Sequence, residues 1–292
     1  MTPEADKSIP IVPQGSHLIQ GDSMALIPKQ DVLTEKMECG VVYQKHRPYM
    51  GMSGLGGDCQ RKIWYDFHWT YNRFISKRLA RIFERGNLEE IRICNDLAKV
   101  GAIVTDDQLE MIDDTGHIKG HIDGKVIGVP GAEKTEHLLE IKTMNSKRFK
   151  DYIKKGLKET NPVYWVQAHL YMGELGLKRC LFVVTNKDNE ERKYERIHFD
   201  PAVHSQYMAI GFSILVAEYP PERIGERTWF VCKFCDAKDI CHNKAEIKKT
   251  CRSCEFCDLE VKGKWACQKT GSLSEMEQLN ACSKYELSEV YD

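Results

Sequence analysis

No stretch of this chain reaches the roughly twenty consecutive apolar residues that a membrane-crossing helix needs, so no membrane partner is expected. The first residues, Met1-Thr2-Pro3-Glu4-Ala5-Asp6, put acids where a secretory leader requires a basic start and an apolar core. The expected location is therefore cytoplasmic. Net charge is nearly absent too: 42 basic and 43 acidic residues leave −1. Any contact with a polyanion then depends on a local patch and not on bulk charge. A phosphate-cradling Gly-Lys-Thr loop is missing, so motor chemistry driven by a nucleotide has to come from another chain.

Cysteine, by contrast, is abundant, with twelve in 292 residues. Cys39, Cys59, Cys94 and Cys180 are scattered, while the other eight lie between Cys232 and Cys282. Clustered cysteines in a chain without a leader read as metal ligands rather than disulfides. The length allows one large domain with a small appendage.

The most informative stretch is 116–176. It holds Gly120-His121-Ile122-Asp123-Gly124, then Leu138-Leu139-Glu140-Ile141-Lys142, then Gln167-Ala168-His169-Leu170-Tyr171. In a strand over 138–142, Leu139 and Ile141 face one side and Glu140 and Lys142 the other. Burying that acid–lysine pair is unfavourable unless something pairs the charges. Asp123 supplies a second carboxylate, and a divalent cation relieves the repulsion between two carboxylates sharing a pocket. His121 shares a face with Asp123. Gln167 and Tyr171, four residues apart, share one face of a helix.

Asp123, Glu140-x-Lys142 and Gln167-x-x-x-Tyr171 together resemble the PD-(D/E)xK nuclease superfamily in its RecB-like and phage-exonuclease branch. The likeness spans residues 50–245. It implies an α/β fold with a restriction-endonuclease-like core, a central mixed sheet flanked by helices, and a small Cys-rich metal-binding module at the carboxyl end. The corresponding divisions are an N-terminal arm over 1–50, a nuclease core over 51–245 and a zinc-binding module over 246–292. The implied activity is metal-dependent hydrolysis of DNA phosphodiester bonds, first as a phage-type exonuclease in recombination or end processing. An endonuclease or nickase of the same superfamily, and a non-catalytic DNA-binding module, are the alternatives. By the same resemblance, Asp123, Glu140, the Ile141 carbonyl and Glu90 hold Mg²⁺ or Mn²⁺. Lys142 positions the attacking water, and Gln167 and Tyr171 face the site. The implied partners are DNA and a single-strand annealing or recombination protein, in a bacterial or phage-infected cell.

Cys232-x2-Cys235-x5-Cys241, with Cys59 far upstream, is similar to the cluster of AddB-type nucleases, which implies [4Fe–4S]. Spacing alone admits zinc as well, with His242 in place of Cys59. Cys251-x2-Cys254, Cys267 and Cys282 form a second set with the spacing of a zinc site. Cys257 competes with Cys251, because Cys254-x2-Cys257 is also a knuckle. So short a segment buries little without an ion.

Between these motifs, the apolar spacing of Phe74, Leu79, Ile82, Phe83, Leu88, Ile91 and Leu97 predicts an amphipathic helix over 73–100, interrupted near Gly86. Two or three strands are expected over 103–129, a helix over 163–176, a buried strand over 180–185 and a helix over 201–219. Lys147-Arg148-Phe149-Lys150 and Lys154-Lys155 read as a basic run for backbone contact, with Phe149, Tyr152 and Tyr164 available for stacking.

Overall fold

The computed structural model describes residues 32–291. Most of the arm expected over 1–50 lies outside the described residues. The chain divides into a unit over 1–39 and a unit over 40–292. The described part of the first is a short helix, α1 (Val32–Glu38).

The second unit begins with β1 (Val41–Gln44), β2 (Met50–Gly51), α2 (Gln60–Phe67), β3 (Arg73–Ser76) and α3 (Lys77–Lys99). Four short strands follow: β4 (Ile103–Thr105), β5 (Glu110–Ile112), β6 (Ile118–His121) and β7 (Gly124–Ile127). Then come β8 (His137–Met144), α4 (Ser146–Lys155), α5 (Leu157–Thr160), α6 (Pro162–Leu175), β9 (Arg179–Asn186), β10 (Arg192–His198) and α7 (Pro201–Leu215). The Cys-rich end holds α8 (Phe230–Lys233), α9 (Lys238–His242), strands β11 (Cys257–Leu259), β12 (Trp265–Cys267) and β13 (Gly271–Leu273), and α10 (Glu275–Leu279).

The central sheet has the order β10-β9-β8-β7-β4, and only the β8–β9 pair is parallel. This is the mixed sheet flanked by helices that the sequence leads one to expect. Strands β8 and β9 are buried along most of their length because helices cover both faces. On one face, Ile93 and Leu97 of α3 pack with Leu139, Ile141, Leu181 and Val183. On the other, Leu170 and Tyr171 of α6 join Leu138, Phe182 and Val184 in the larger core. Pro162 opens α6 and Gly176, in the left-handed region, ends it.

Two expectations change. Helix α3 starts at Lys77, where the Ser76 side chain caps the Leu79 amide at 3.1 Å, and it runs unbroken through Gly86. Most of its expected apolar stripe does not lie in the core. Phe74, which precedes the helix in β3, and Ile82, Phe83, Leu88 and Ile91 are exposed; of the stripe the helix buries Leu97, together with Glu89 and Ile93. Nor do Phe149 and Tyr152 reach solvent for stacking. Both are buried on the inner face of α4 while Lys150 and Asp151 between them face out, since apolar residues three apart on a helix lie on one face.

Two smaller sheets complete the unit. One has the order β2-β6-β5, with β2 parallel to β6; the other, β11-β12-β13, is antiparallel and lies in the Cys-rich end.

Candidate active site and thiol cavities

Asp123 occupies the corner between β6 and β7, one residue before the β7–β8 ladder begins at Gly124–Leu139. From there its Oδ2 accepts the Ile141 amide of β8 at 2.7 Å. A carboxylate that accepts a backbone N–H on the neighbouring strand is fixed in direction. On β8 the alternation holds: Ile141 packs against α3, and Glu140 and Lys142 project towards α6. The Lys142 ammonium donates to Glu140 Oε2 at 2.7 Å and stands 3.5 Å from Asp123 Oδ2. It therefore bridges the two carboxylates as an internal cation. Gln167 of α6 donates to both Glu140 oxygens, at 3.4 and 3.2 Å.

Burial governs the charges here. Glu140 is 1% exposed, and desolvation pushes its carboxyl up to about 8 despite the opposing pull of Lys142. Burial works against the Lys142 charge as well, but Glu140 and Asp123 beside it hold its pKa well above the ordinary lysine value. The site thus keeps a firmly charged ammonium next to a carboxyl that loses its proton only on the alkaline side.

Asp123, Glu90, Gln167 and Tyr171 line one cleft of about 740 Å³, joined by Arg47, Tyr49, Ser53, Gly120 and His121. The adjacent acids of α3 part company. Glu89 turns inward to Thr185 at 2.7 Å and to Arg92 and Arg192 at 3.0 and 3.3 Å, a structural role. Glu90 faces the cleft, accepts from Gln108 at 3.3 Å, and is raised by burial and by the nearby Asp123 charge. Tyr171 fits because β6 offers a glycine opposite it: a Cβ on Gly120 would lie 2.5 Å from the ring. His121 reaches Glu110 at 3.5 Å and the Tyr49 hydroxyl at 3.5 Å. Cys94 lines the cleft and packs on the second core.

Sequence reasoning missed Arg47, Tyr49 and Ser53. They come from a Pro-containing stretch without periodicity, and Arg47 is tied to Ser53 at 3.3 Å. The one signal was their position just before the Gly-rich run at 54–57.

Cys59, Cys232, Cys235, Cys241 and His242 border a second, small cavity, together with the basic residues Arg61, Lys62, Arg223 and Lys238. Burial pushes the Cys232 and Cys235 thiols up, and Cys59 and Cys241 add to it at Cys232. Cys251, Cys254, Cys257, Cys267 and Cys282 border a third. Cys251 is pushed up to about 11 by burial and by Cys254, Cys282 and Cys267. Cys257 lies in this cavity beside the other four and pairs across the ladder with Cys267, so proximity does not choose between Cys251 and Cys257. The thiols face common cavities without being drawn tight. Among the described residues, no three His, Cys, Asp or Glu side chains are gathered closely enough to hold an ion as they stand. The donor types nevertheless fit: the carboxylate oxygens of Asp123 and Glu90 at the cleft suit a hard divalent cation, and the cysteine sulfurs of the thiol cavities suit zinc or an iron–sulfur cluster.

No protein-family model matches the chain, and no curated protein matches it. Among solved structures, SSO0001 is similar at 18% identity and a TM-score of 0.42, over 68% of this chain and 88% of that one. LHK-Exo in complex with dAMP is similar at 20% identity and a TM-score of 0.42, over 57% of this chain and 86% of that one. The alkaline exonuclease LHK-Exo from Laribacter hongkongensis gives 20% and 0.41, over 58% and 87%. Scores this low carry no argument about chemistry, which the side-chain geometry has to supply.

Proposed function

We propose that this chain is a metal-dependent nuclease hydrolysing DNA phosphodiester bonds. The observation that carries the proposal is the convergence of Asp123, Glu140 and Lys142: the Lys142 ammonium meets both carboxylates, Asp123 lines the open cleft, and Gln167 of the cleft wall reaches Glu140 behind it. Asp123, Glu140, Glu90 and the Ile141 carbonyl would hold Mg²⁺ or Mn²⁺, which when bound acidifies water and polarises a phosphoryl oxygen. Lys142 keeps its proton and offsets the negative charge that grows on the phosphoryl oxygens. Gln167 fixes the Glu140 carboxylate by donating to both of its oxygens. Tyr171 closes the cleft wall against Gly120.

Backbone contacts have two sources. Among the described residues lining the cleft, Arg47 is the only arginine or lysine. Lys147, Arg148 and Lys155 edge a separate groove of about 450 Å³ beside α4. Both suit sequence-independent binding of phosphates. Within this reading the chain acts as a phage-type exonuclease in recombination or end processing, working in a bacterial or phage-infected cytoplasm beside an annealing or recombination protein. The exonuclease assignment follows the motif resemblance.

The first thiol cavity takes a [4Fe–4S] cluster on Cys59, Cys232, Cys235 and Cys241, which joins distant parts of the chain. Its basic lining favours an anionic centre. The second takes Zn²⁺ on Cys251, Cys254, Cys267 and Cys282. Anaerobic purification with an absorption spectrum and metal analysis tests both assignments. A brown protein containing iron and zinc supports them, and a colourless one containing zinc alone removes the cluster.

Linear duplex and circular single-stranded DNA, each with Mg²⁺ or Mn²⁺, test the activity. Shortened linear DNA beside intact circles supports the exonuclease. Opened circles make the chain an endonuclease, and retardation without cutting makes it a binding module. If Asp123→Ala, Glu140→Ala or Lys142→Ala cuts at the parental rate, the nuclease assignment is lost.

A further inference from the structure

Arg252 lies between the two cysteines of the Cys251-x2-Cys254 knuckle and is 3% exposed. Its guanidinium stands 3.8 Å from the Trp69 ring centre, 4.5 Å from that of Trp265 and 5.3 Å from that of Phe67. Nε donates to Gln278 Oε1 at 2.9 Å, and the two terminal nitrogens donate to the carbonyls of Phe67 and Pro48, each at 2.8 Å. All three acceptors are uncharged. A buried guanidinium without a carboxylate is unfavourable unless negative charge lies close by. Two negative groups favour the guanidinium: Cys257 of the adjoining five-cysteine cavity, and Glu275, which is itself paired with Lys45. Thiolates gathered on one divalent cation carry more negative charge than the ion cancels.

The other end of Arg252 reaches the cleft. Pro48 belongs to the strap 45–49, whose Arg47 carbonyl also accepts the Trp69 indole at 2.8 Å and whose Lys45 pairs with Glu275 at 2.5 Å. Arg47 and Tyr49 of that strap line the cleft. A second attachment lies beside it. The Gly263 amide donates to the Thr115 carbonyl at 2.9 Å, and the His117 ring meets the Glu260 carbonyl at 2.5 Å. Gly116 and Gly263, both in the left-handed region, approach so closely that a Cβ on either would lie 2.5 Å from the other's backbone. The turn at Gly116 leads into β6, which carries Gly120 and His121 into the cleft. The Cys-rich end therefore stands behind one wall of the cleft, whereas Glu140 and Lys142 sit on the central sheet with supports of their own.

We propose that Arg252 is a positioning residue that links ion occupancy of the carboxyl-terminal thiol site to the grip of the cleft on DNA. The DNA half of this statement rests on the nuclease reading. Without the ion, the guanidinium loses the thiolate share of its counter-charge, the strap 45–49 loosens, and Arg47 and Tyr49 leave their places. Substrate binding weakens while the Asp123–Glu140–Lys142 geometry persists.

The test uses the full-length protein loaded with Zn²⁺ and Mg²⁺, compared with Arg252→Lys and with the parent stripped of zinc by a chelator. Zinc content, amide hydrogen exchange, and KM and kcat on linear duplex DNA are read. In Arg252→Lys, exchange over 45–51 and KM should each rise by about five- to tenfold, the ordinary size of a coupling between sites, with kcat within about twofold. Unchanged exchange and KM with zinc still bound would overturn the proposal, as would a loss confined to kcat. If Arg252→Lys does not fold, the stripped parent decides. Faster exchange over 45–51 with 137–144 still protected supports the link, and equal loss over both segments, or none over 45–51, refutes it. A parent that cuts no DNA removes the nuclease reading, and the exchange measurements then judge the link by themselves.

Discussion

The carboxylate cleft and the Cys-rich end both gather ionisable groups, but they balance them in opposite ways. In the cleft, Glu140 has Lys142 and Gln167, and Asp123 has the Ile141 amide. Every partner comes from the central sheet or from α6. In the Cys-rich end, thiols act on thiols: Cys254, Cys282 and Cys267 on Cys251, and Cys251, Cys254 and Cys267 on Cys257, where Arg252 opposes them. The first arrangement stands without an ion and would use one for chemistry. On the proposed zinc assignment the second would need its ion in order to fold, because short strands β11–β13 and one turn of helix bury few side chains besides Trp265, Arg252 and Gln278. The two proposed metal sites would thus answer to different physical needs.

Mutation can break that contrast most sharply in the cleft. Asp123→Asn or Glu140→Gln should lower cleavage by about 10³-fold or more while the melting temperature moves by only a few degrees. A gel assay and a thermal melt check this, and a collapse of both together would put the cleft in the same class as the thiol sites. Zinc removal should do the reverse. Amide exchange over 246–291 should rise towards the unprotected rate while β8 and β9 stay protected.

Proton linkage sharpens the comparison further. Glu140 titrates at about 8 in the fold against an ordinary value of 4.5, so between these values the folded chain holds a proton that the unfolded chain has lost. Its contribution to stability is full below pH 4.5 and is lost as pH rises to about 8. A cation that displaces this proton should bind more tightly with rising pH, by up to about tenfold per unit below pH 8. Calorimetric titration of Mn²⁺ across that range checks the slope, and Glu140→Gln should flatten it. Gly120→Ala should destabilise the protein by about 1–3 kcal/mol, because the added methyl meets the Tyr171 ring inside a packed wall. Denaturant melts read that change. The smallest effect is expected at the groove beside α4. Arg148→Ala should weaken DNA binding modestly and reduce its salt dependence by about one unit of slope.

Local pattern made a good part of this legible. Alternation over 138–142 placed Glu140 and Lys142 on one face, and the four-residue interval put Gln167 and Tyr171 on one side of α6, where Gln167 does reach Glu140. The same reasoning misjudged α3, whose apolar residues seemed to define a buried stripe, because periodicity shows which residues share a face and not what covers that face. It also could not separate Glu89 from Glu90. Their neighbours Thr185 and Gln108 are distant in the chain or belong to a turn, so only packing sends one acid inward and the other to the cleft.

The sequence by itself determined the donor types and their local spacing: carboxylates and a lysine on strands, thiols in knuckles, a glutamine and a tyrosine one helical turn apart. Those features depend on residues a few positions apart, where backbone geometry fixes which side chains can meet. Tertiary structure alone decided that Arg47 and Tyr49 enter the cleft and that Arg252 reaches back to Pro48, 204 residues away. No local rule encodes such a contact. It exists because burying Trp69, Trp265 and Phe67 around one guanidinium brings residues 67–69 and 252–265 together.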